Sequence, residues 1–294
     1  MKLAIPTVPP FSFDQTLAFS CRFAPLETAA IVEPDRLVAA FAHRGVAWAC
    51  ELRAPKGQLT LTVADGAPDH VIGRATDLVG ARDDLRPFYA LAAADPVMAP
   101  VVGELHGLHQ VRFLGLEEIA VYCVMMQRTP IKVAATYKQR FLAKFGFAVE
   151  VDRPAAGADR TLRAMPELAD LVHLSAADIA GAIGHRGKAE RIATVVREVH
   201  RIGEDFLVGA PYAAARDALL AIPGIGPFSA AAILLRGLGR VDEVPSLEMF
   251  EEPARELYGR AWDPEWTARH YGRSIGTWAF YLKTAAGRRV SVAA

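Results

Sequence analysis

The sequence predicts an α+β protein: a small antiparallel sheet domain over residues 1–95, then a larger all-helical domain over residues 96–294. Three observations carry that prediction. Short β-rich runs dominate the first third of the chain, the texture turns helical after Asp95-Pro96 and stays so, and no internal repeat is present. With 294 residues and 52% hydrophobic composition, the chain can bury cores in two domains.

The elements follow in order. Residues 45–54 (GVAWACELRA) and 58–64 (QLTLTVA) flank a Pro55-Lys56-Gly57 turn. In the second run Leu59, Leu61 and Val63 alternate with Thr60 and Thr62, the period of a half-buried strand. A helix is predicted over 70–79, laid across this sheet. Beyond residue 95, helical spacing places helices at 97–105, 116–126, 130–145, 165–172, 176–182, 188–202, 212–221, 227–235, 247–257, 264–270 and 276–285. Residues 149–161, rich in Ala, Gly, Asp and Pro, lack helical periodicity and are expected to form a surface loop.

Bulk properties exclude several classes. Thirty-three basic and 33 acidic residues cancel, so the chain does not coat nucleic acid by charge alone, although a local basic patch remains compatible. Cys21, Cys50 and Cys123 are too few and too far apart for a disulfide framework, a zinc site or an iron–sulfur cluster. The start, MKLAIPTVPPFSF, is broken by prolines before an apolar run develops, and no segment approaches membrane-spanning length. A soluble cytoplasmic protein of bacterial type, monomeric and without a membrane partner, is expected.

The most informative stretch is 219–238, LLAIPGIGPFSAAAILLRGL. One helix runs into Pro223-Gly224-Ile225-Gly226, and a second starts at Pro227, a residue suited to the first helical position. Gly224 and Gly226 carry no Cβ, which permits close approach of another backbone. Amides of the second helix's first turn, including Phe228 and Ser229, would face outward at the positive end of its dipole as a phosphate site. An ordinary Pro-Gly turn between core helices is the alternative; the small residues Ser229–Ala232 favour the hairpin.

This hairpin resembles the signature of the helix-hairpin-helix DNA glycosylase superfamily, and most closely its 3-methyladenine DNA glycosylase II branch. Further segments match in order: Asp95–Leu108, 116–127 ending at Gln127, Gly187–Ile192, and 276–282 with Trp278 and Tyr281. The resemblance spans most of residues 10–287. It implies a helix-hairpin-helix glycosylase domain, double-stranded DNA with a damaged base as partner, and extrusion of that base. It implies no cofactor beyond a monovalent cation, sodium or potassium, held by hairpin carbonyls near Ile222 and Ile225.

Residue roles follow from the same resemblance. The family's catalytic carboxylate is an aspartate; counting from Pro223-Gly224 puts Glu248 in its place, one methylene longer. Such an acid stabilises the positive charge that develops on the sugar as the N-glycosidic bond breaks. An acid that caps or decorates a helix start is the alternative for Glu248; Asp242 is the fallback acid, with a solvated turn residue its alternative. Strand-cutting members carry a lysine nucleophile where this chain has Phe228, so a monofunctional enzyme is implied. Gln127 and Arg128 stand where the family wedges the duplex, with a phosphate contact or a solvated arginine the alternative for Arg128; Lys188, with His185 and Arg186, lies beside the hairpin, as solvated surface or in contact with phosphate. Phe228, Trp278 and Tyr281 are candidates for the base pocket, with core packing the alternative for each. Ala232 and Thr284 stand where rings are expected for recognition of alkylated bases. The substitution at Glu248 leaves open a lesion-binding protein of the same fold that flips or marks bases without cleavage.

Overall fold

The computed structural model describes residues 1–26, 29–151 and 160–293. The amino-terminal sheet contains β1 (Lys2–Ala4), β2 (Ala30–Glu33), β3 (Arg36–His43), β4 (Val46–Arg53) and β5 (Thr60–Thr62) in the order β1-β5-β4-β3-β2, with every pair antiparallel. Between β3 and β4, Arg44 and Gly45 both take positive φ, 49° and 78°, closing a two-residue hairpin whose twist suits the strands. One face packs on α1 (Phe13–Ser20) and α2 (Asp69–Leu78), burying Leu37, Leu52 and Leu61 with Leu17, Val71 and Leu78.

β2 and β3 carry no readable alternation because both faces of β3 are covered: every residue from Arg36 to Ala42 is buried. The cover on the outer face is a second hairpin, β6 (Phe147–Val151) with β7 (Arg160–Ala164). Val151, Leu162 and Ala164 pack there against Ile31, Val38, Ala40 and Ala42. The carboxy-terminal part is therefore not all-helical. Residues 149–151 and 160–161 of the expected loop are strand, and residues 152–159 lie outside the described residues. Valine, leucine and alanine at alternate positions seal the sheet's second face, a pairing visible only once the partner face is known.

Two helical cores follow. The first gathers α5 (Leu116–Met126), α6 (Ile131–Phe145), α7 (Leu168–Leu171), α8 (Ala176–Ile183), α9 (Arg186–Ile202), α10 (Glu204–Gly209), α11 (Tyr212–Leu220) and α12 (Pro227–Ala232). Within it α5 is central and buried nearly all round. The second gathers α3 (Arg86–Ala93), α4 (Met98–Glu104), α13 (Glu251–Tyr258), α14 (Pro264–Tyr271) and α15 (Ile275–Ala293). Helix α3 precedes the change of texture at residue 95, yet its Phe88 and Ala92 pack with this carboxy-terminal core. Asp95 ties the two together: its Oδ1 accepts the Val97 and Met98 amides, and its Oδ2 accepts the hydroxyls of Tyr258 and Tyr271 at 2.6 and 2.8 Å.

Candidate functional site

The 219–238 segment folds as a helix-turn-helix. Ile222 and Ile225 plug the turn into the first helical core, 3% and 6% exposed, and the Ile225 amide donates to the Ile222 carbonyl at 3.0 Å. Gly224 has φ +96°, and a Cβ there would meet the side-chain stem of Arg191 at 2.6 Å, so this position requires glycine. Gly226 differs: its φ is −100° and a Cβ would project into open space. Its smallness leaves the surface clear in front of the first turn of α12, where the leading amides have no intrahelical partner. Gly224, Gly226, Pro227 and Phe228 are all exposed.

Neighbouring polar residues hold this turn in place. Gln127, just past α5, donates its amide to the Gly224 carbonyl at 2.7 Å and accepts from Arg191 Nη1 at 2.6 Å. Gln127 thereby fixes the hairpin, and its side-chain groups are already engaged. Lys188 is not on the surface: it is 5% exposed, and its Nζ donates to the carbonyls of Val124 and Gln127 at 3.2 and 2.7 Å. The unpaired carbonyls at the negative end of α5 recruit that cation, which is unavailable to phosphate. Burial holds the Lys188 ammonium below the usual lysine range, with Arg191 adding to the effect. Ser229 is also buried, its hydroxyl against the Cys123 thiol; only its backbone amide belongs to the exposed turn. Arg128 is exposed and takes φ +51°, a conformation costly for a residue with a Cβ. His185 caps α9 through its ring nitrogen and Arg186 pairs with Glu190.

Directly beside the hairpin lies a cavity of about 300 Å³. Phe228 and Met249 stand at it half-exposed, at 52% and 41%. Phe19, Phe23 and Phe280 supply aromatic wall, Ala231, Ala232 and Leu235 the aliphatic part. Its polar groups are Gln110, Arg236, Lys283 and Thr284. A π-helical turn at Ile233–Gly237 after α12 sets Arg236 against this wall. Burial pushes the Arg236 guanidinium down to about 10, still charged at neutral pH. Trp278 and Tyr281 do not line the cavity. Both are fully buried, with Trp278 Nε1 donating to the Tyr258 hydroxyl and the Tyr281 hydroxyl donating to the Leu108 carbonyl. The opposite face of α15, with Ala279, Phe280, Lys283 and Thr284, is the one that meets the cavity. Phe19, Phe23 and Gln110 went unread in the sequence because they come from distant segments with no motif of their own.

The acids divide clearly. Asp242 is held by Arg273 at 2.7 Å and Glu243 by Arg216 at 2.8 Å. Glu248 is exposed, its carboxylate makes no hydrogen bond or ion pair among the described residues, and only its backbone amide is bonded, to the Ser246 hydroxyl. Pro245, Met249 and Phe250 on either side of it line the cavity, while Glu248 itself faces an adjoining depression shared with Glu251 and Arg255. For metals, His43, His70 and Glu167 form a cluster at the end of β3, where Glu167 accepts from the Arg44 amide and pairs with His43 at 3.1 Å. The three cysteines are free. No described helix is long and apolar enough to cross a membrane.

No family model matches the chain. It is 28% identical over 268 residues to the probable bifunctional transcriptional activator/DNA repair enzyme AlkA of Mycobacterium tuberculosis, an alignment covering 85% of this chain and 49% of that one. The chain thus spans about half the length of the curated relatives it matches. Among solved structures, the 3-methyladenine DNA-glycosylase of Archaeoglobus fulgidus superposes with a TM-score of 0.74 at 17% identity, over 96% of both chains. An 8-oxoguanine glycosylase/lyase of Clostridium acetobutylicum, in complex with DNA, superposes with a TM-score of 0.72 at 13% identity, over 98% of both.

Proposed function

From the premise that this chain has the fold of the helix-hairpin-helix DNA glycosylases and resembles the 3-methyladenine branch, we propose that it is a DNA repair glycosylase. It would bind double-stranded DNA, extrude one damaged base, and hydrolyse that base's N-glycosidic bond without cutting the strand. One observation carries the reading: Phe228, in the first turn after the hairpin, and Pro245, Met249 and Phe250, which flank Glu248, stand at one apolar, aromatic-walled cavity, with Glu248 in the depression adjoining it.

The residues divide the work. Backbone amides around Gly224, Gly226 and Phe228 take phosphate without charged side chains. Arg128 fills the gap left in the stack. Extrusion costs a few kcal/mol, least for damaged or mispaired bases, and the cavity offsets that cost by stacking. The Glu248 carboxylate stabilises the positive sugar of the transition state and orients water. Phe228 has no amine, so no Schiff base forms at that position. A monovalent cation would be held by hairpin backbone carbonyls, those of Ile222 and Ile225, and would neutralise a nearby phosphate.

Base release from duplexes carrying alkylated, deaminated or oxidised bases tests the reading. Wild type should release a base, and Glu248→Gln should lower the rate by on the order of 100-fold. Borohydride should trap no covalent adduct with the abasic product. Failure to release any base, with tight binding to an abasic analogue, would replace the enzyme by a lesion-binding protein.

A further inference from the structure

Resting on the glycosylase reading, we propose that Gln110 and Arg236 read an uncharged lactam edge, a carbonyl beside a ring N–H, and that the cavity excludes cationic bases. Gln110 is 5% exposed, lines the cavity, and neither atom of its side-chain amide has a hydrogen-bond partner. Buried amides in folded proteins are almost always paired, so an unpaired one on a residue that lines a cavity points to a ligand. An amide presents one acceptor beside two donors, the complement of a lactam.

The backbone beneath it is fixed. On one side His109 is fully buried, with its two ring nitrogens 2.7 Å from the Gly80 carbonyl and 2.8 Å from the Pro10 carbonyl. On the other, the Arg112 amide donates to the Leu78 carbonyl at 2.8 Å.

Arg236 supplies the second half. Its guanidinium lies 4.6, 5.4 and 5.5 Å from the ring centroids of Phe23, Phe280 and Phe19, and it makes no side-chain hydrogen bond or ion pair among the described residues. Its Nη2 is buried without an acceptor. A ligand carbonyl would accept a hydrogen bond from it. Lys283 adds a second cation, 4.9 Å from the Phe250 ring. No carboxylate lines the cavity among the described residues, Glu248 standing in the depression beside it, so the charged groups of its wall are the cations Arg236 and Lys283. Of the aromatic rings that could attract a cationic base, Phe19, Phe23 and Phe280 already hold Arg236 and Phe250 holds Lys283.

Deaminated bases such as hypoxanthine and uracil, and oxidised guanine, share the lactam edge. Undamaged guanine and thymine share it too, and the greater cost of extruding a well-paired base separates them.

The test measures binding rather than turnover, so it reads out even if the glycosylase reading fails. Duplexes carry one hydrolysis-resistant 2′-fluoro nucleoside: hypoxanthine opposite thymine, uracil opposite guanine, or 8-oxoguanine opposite cytosine. Two comparators isolate the claims: 7-methylguanine keeps the edge but adds positive charge, and 1,N6-ethenoadenine is neutral without the edge. At least one lactam duplex should bind about tenfold more tightly than both comparators, in the range of a bidentate base contact. Which of the three does so identifies deamination or oxidation as the source. Gln110→Leu should bring that ratio to about one without changing affinity for an abasic analogue or lowering Tm. A comparator that binds as tightly as every lactam duplex, or selectivity that survives Gln110→Leu, overturns the proposal. Absence of base release from the corresponding cleavable duplexes would count against the glycosylase reading alone.

Discussion

Burial redefines several charged side chains whose sequence neighbourhood reads as surface. Lys188 follows His185 and Arg186 at the start of α9, yet it caps α5 through two carbonyls. Replacing it by methionine should destabilise the protein by about 1–3 kcal/mol, the cost of orphaning buried acceptors, as read from denaturant midpoints. Glu117 shows the same effect on a proton. Burial pushes its carboxyl up to about 7 from 4.5, against the opposing pull of Arg74. The folded state therefore binds the proton more tightly than the unfolded chain. The stability Glu117 contributes is complete below pH 4.5 and is lost as pH rises through 7. Glu117→Gln should flatten stability across that window and raise Tm at pH 8, a gain of at most roughly 3 kcal/mol. An unchanged pH profile would refute the assignment. Glu248 was reached by a count from the hairpin glycines along the family resemblance, and it stands in the depression beside the cavity. Gln110 was not, since nothing local marks a glutamine as buried beside helices more than a hundred residues away.

At the scale of elements, legibility followed periodicity. The strand at 58–64, α2 and α5 each announce themselves by spacing, and the hairpin by its glycines and Pro227. β3 did not, because a strand covered on both faces loses the alternation that marks it, and Ala39, Ala40 and Ala42 carry little strand propensity. Its cover, β6 with β7, fell within a composition that reads as loop. The two hairpin glycines make different predictions. Gly224→Ala places a Cβ at φ +96° against Arg191, and should cost roughly 1–2 kcal/mol in stability. It should also weaken binding to undamaged duplex several-fold. Gly226→Ala meets nothing in the protein, so Tm should hold while duplex affinity falls, because the methyl projects where phosphate would approach. Equal duplex affinity in wild type and Gly226→Ala would move the phosphate site elsewhere.

The whole molecule joins a sheet domain to two helical cores, with the cavity where they meet: Phe19 and Phe23 come from the amino-terminal part, Phe228 from the hairpin and Phe280 from α15. That convergence explains why the lesion could not be read from sequence while the fold could. Zero net charge with a hairpin built on backbone amides implies few released counterions. The slope of log affinity against log salt should stay near −3 to −5, roughly three to five phosphates. The central claim is that one cavity and one acid perform base excision, and single-turnover base release by wild type beside Glu248→Gln tests it most directly. The account predicts release from at least one damaged duplex and a loss on the order of 100-fold in the glutamine variant, with unaltered binding to an abasic analogue. Equal rates for the two proteins would contradict it.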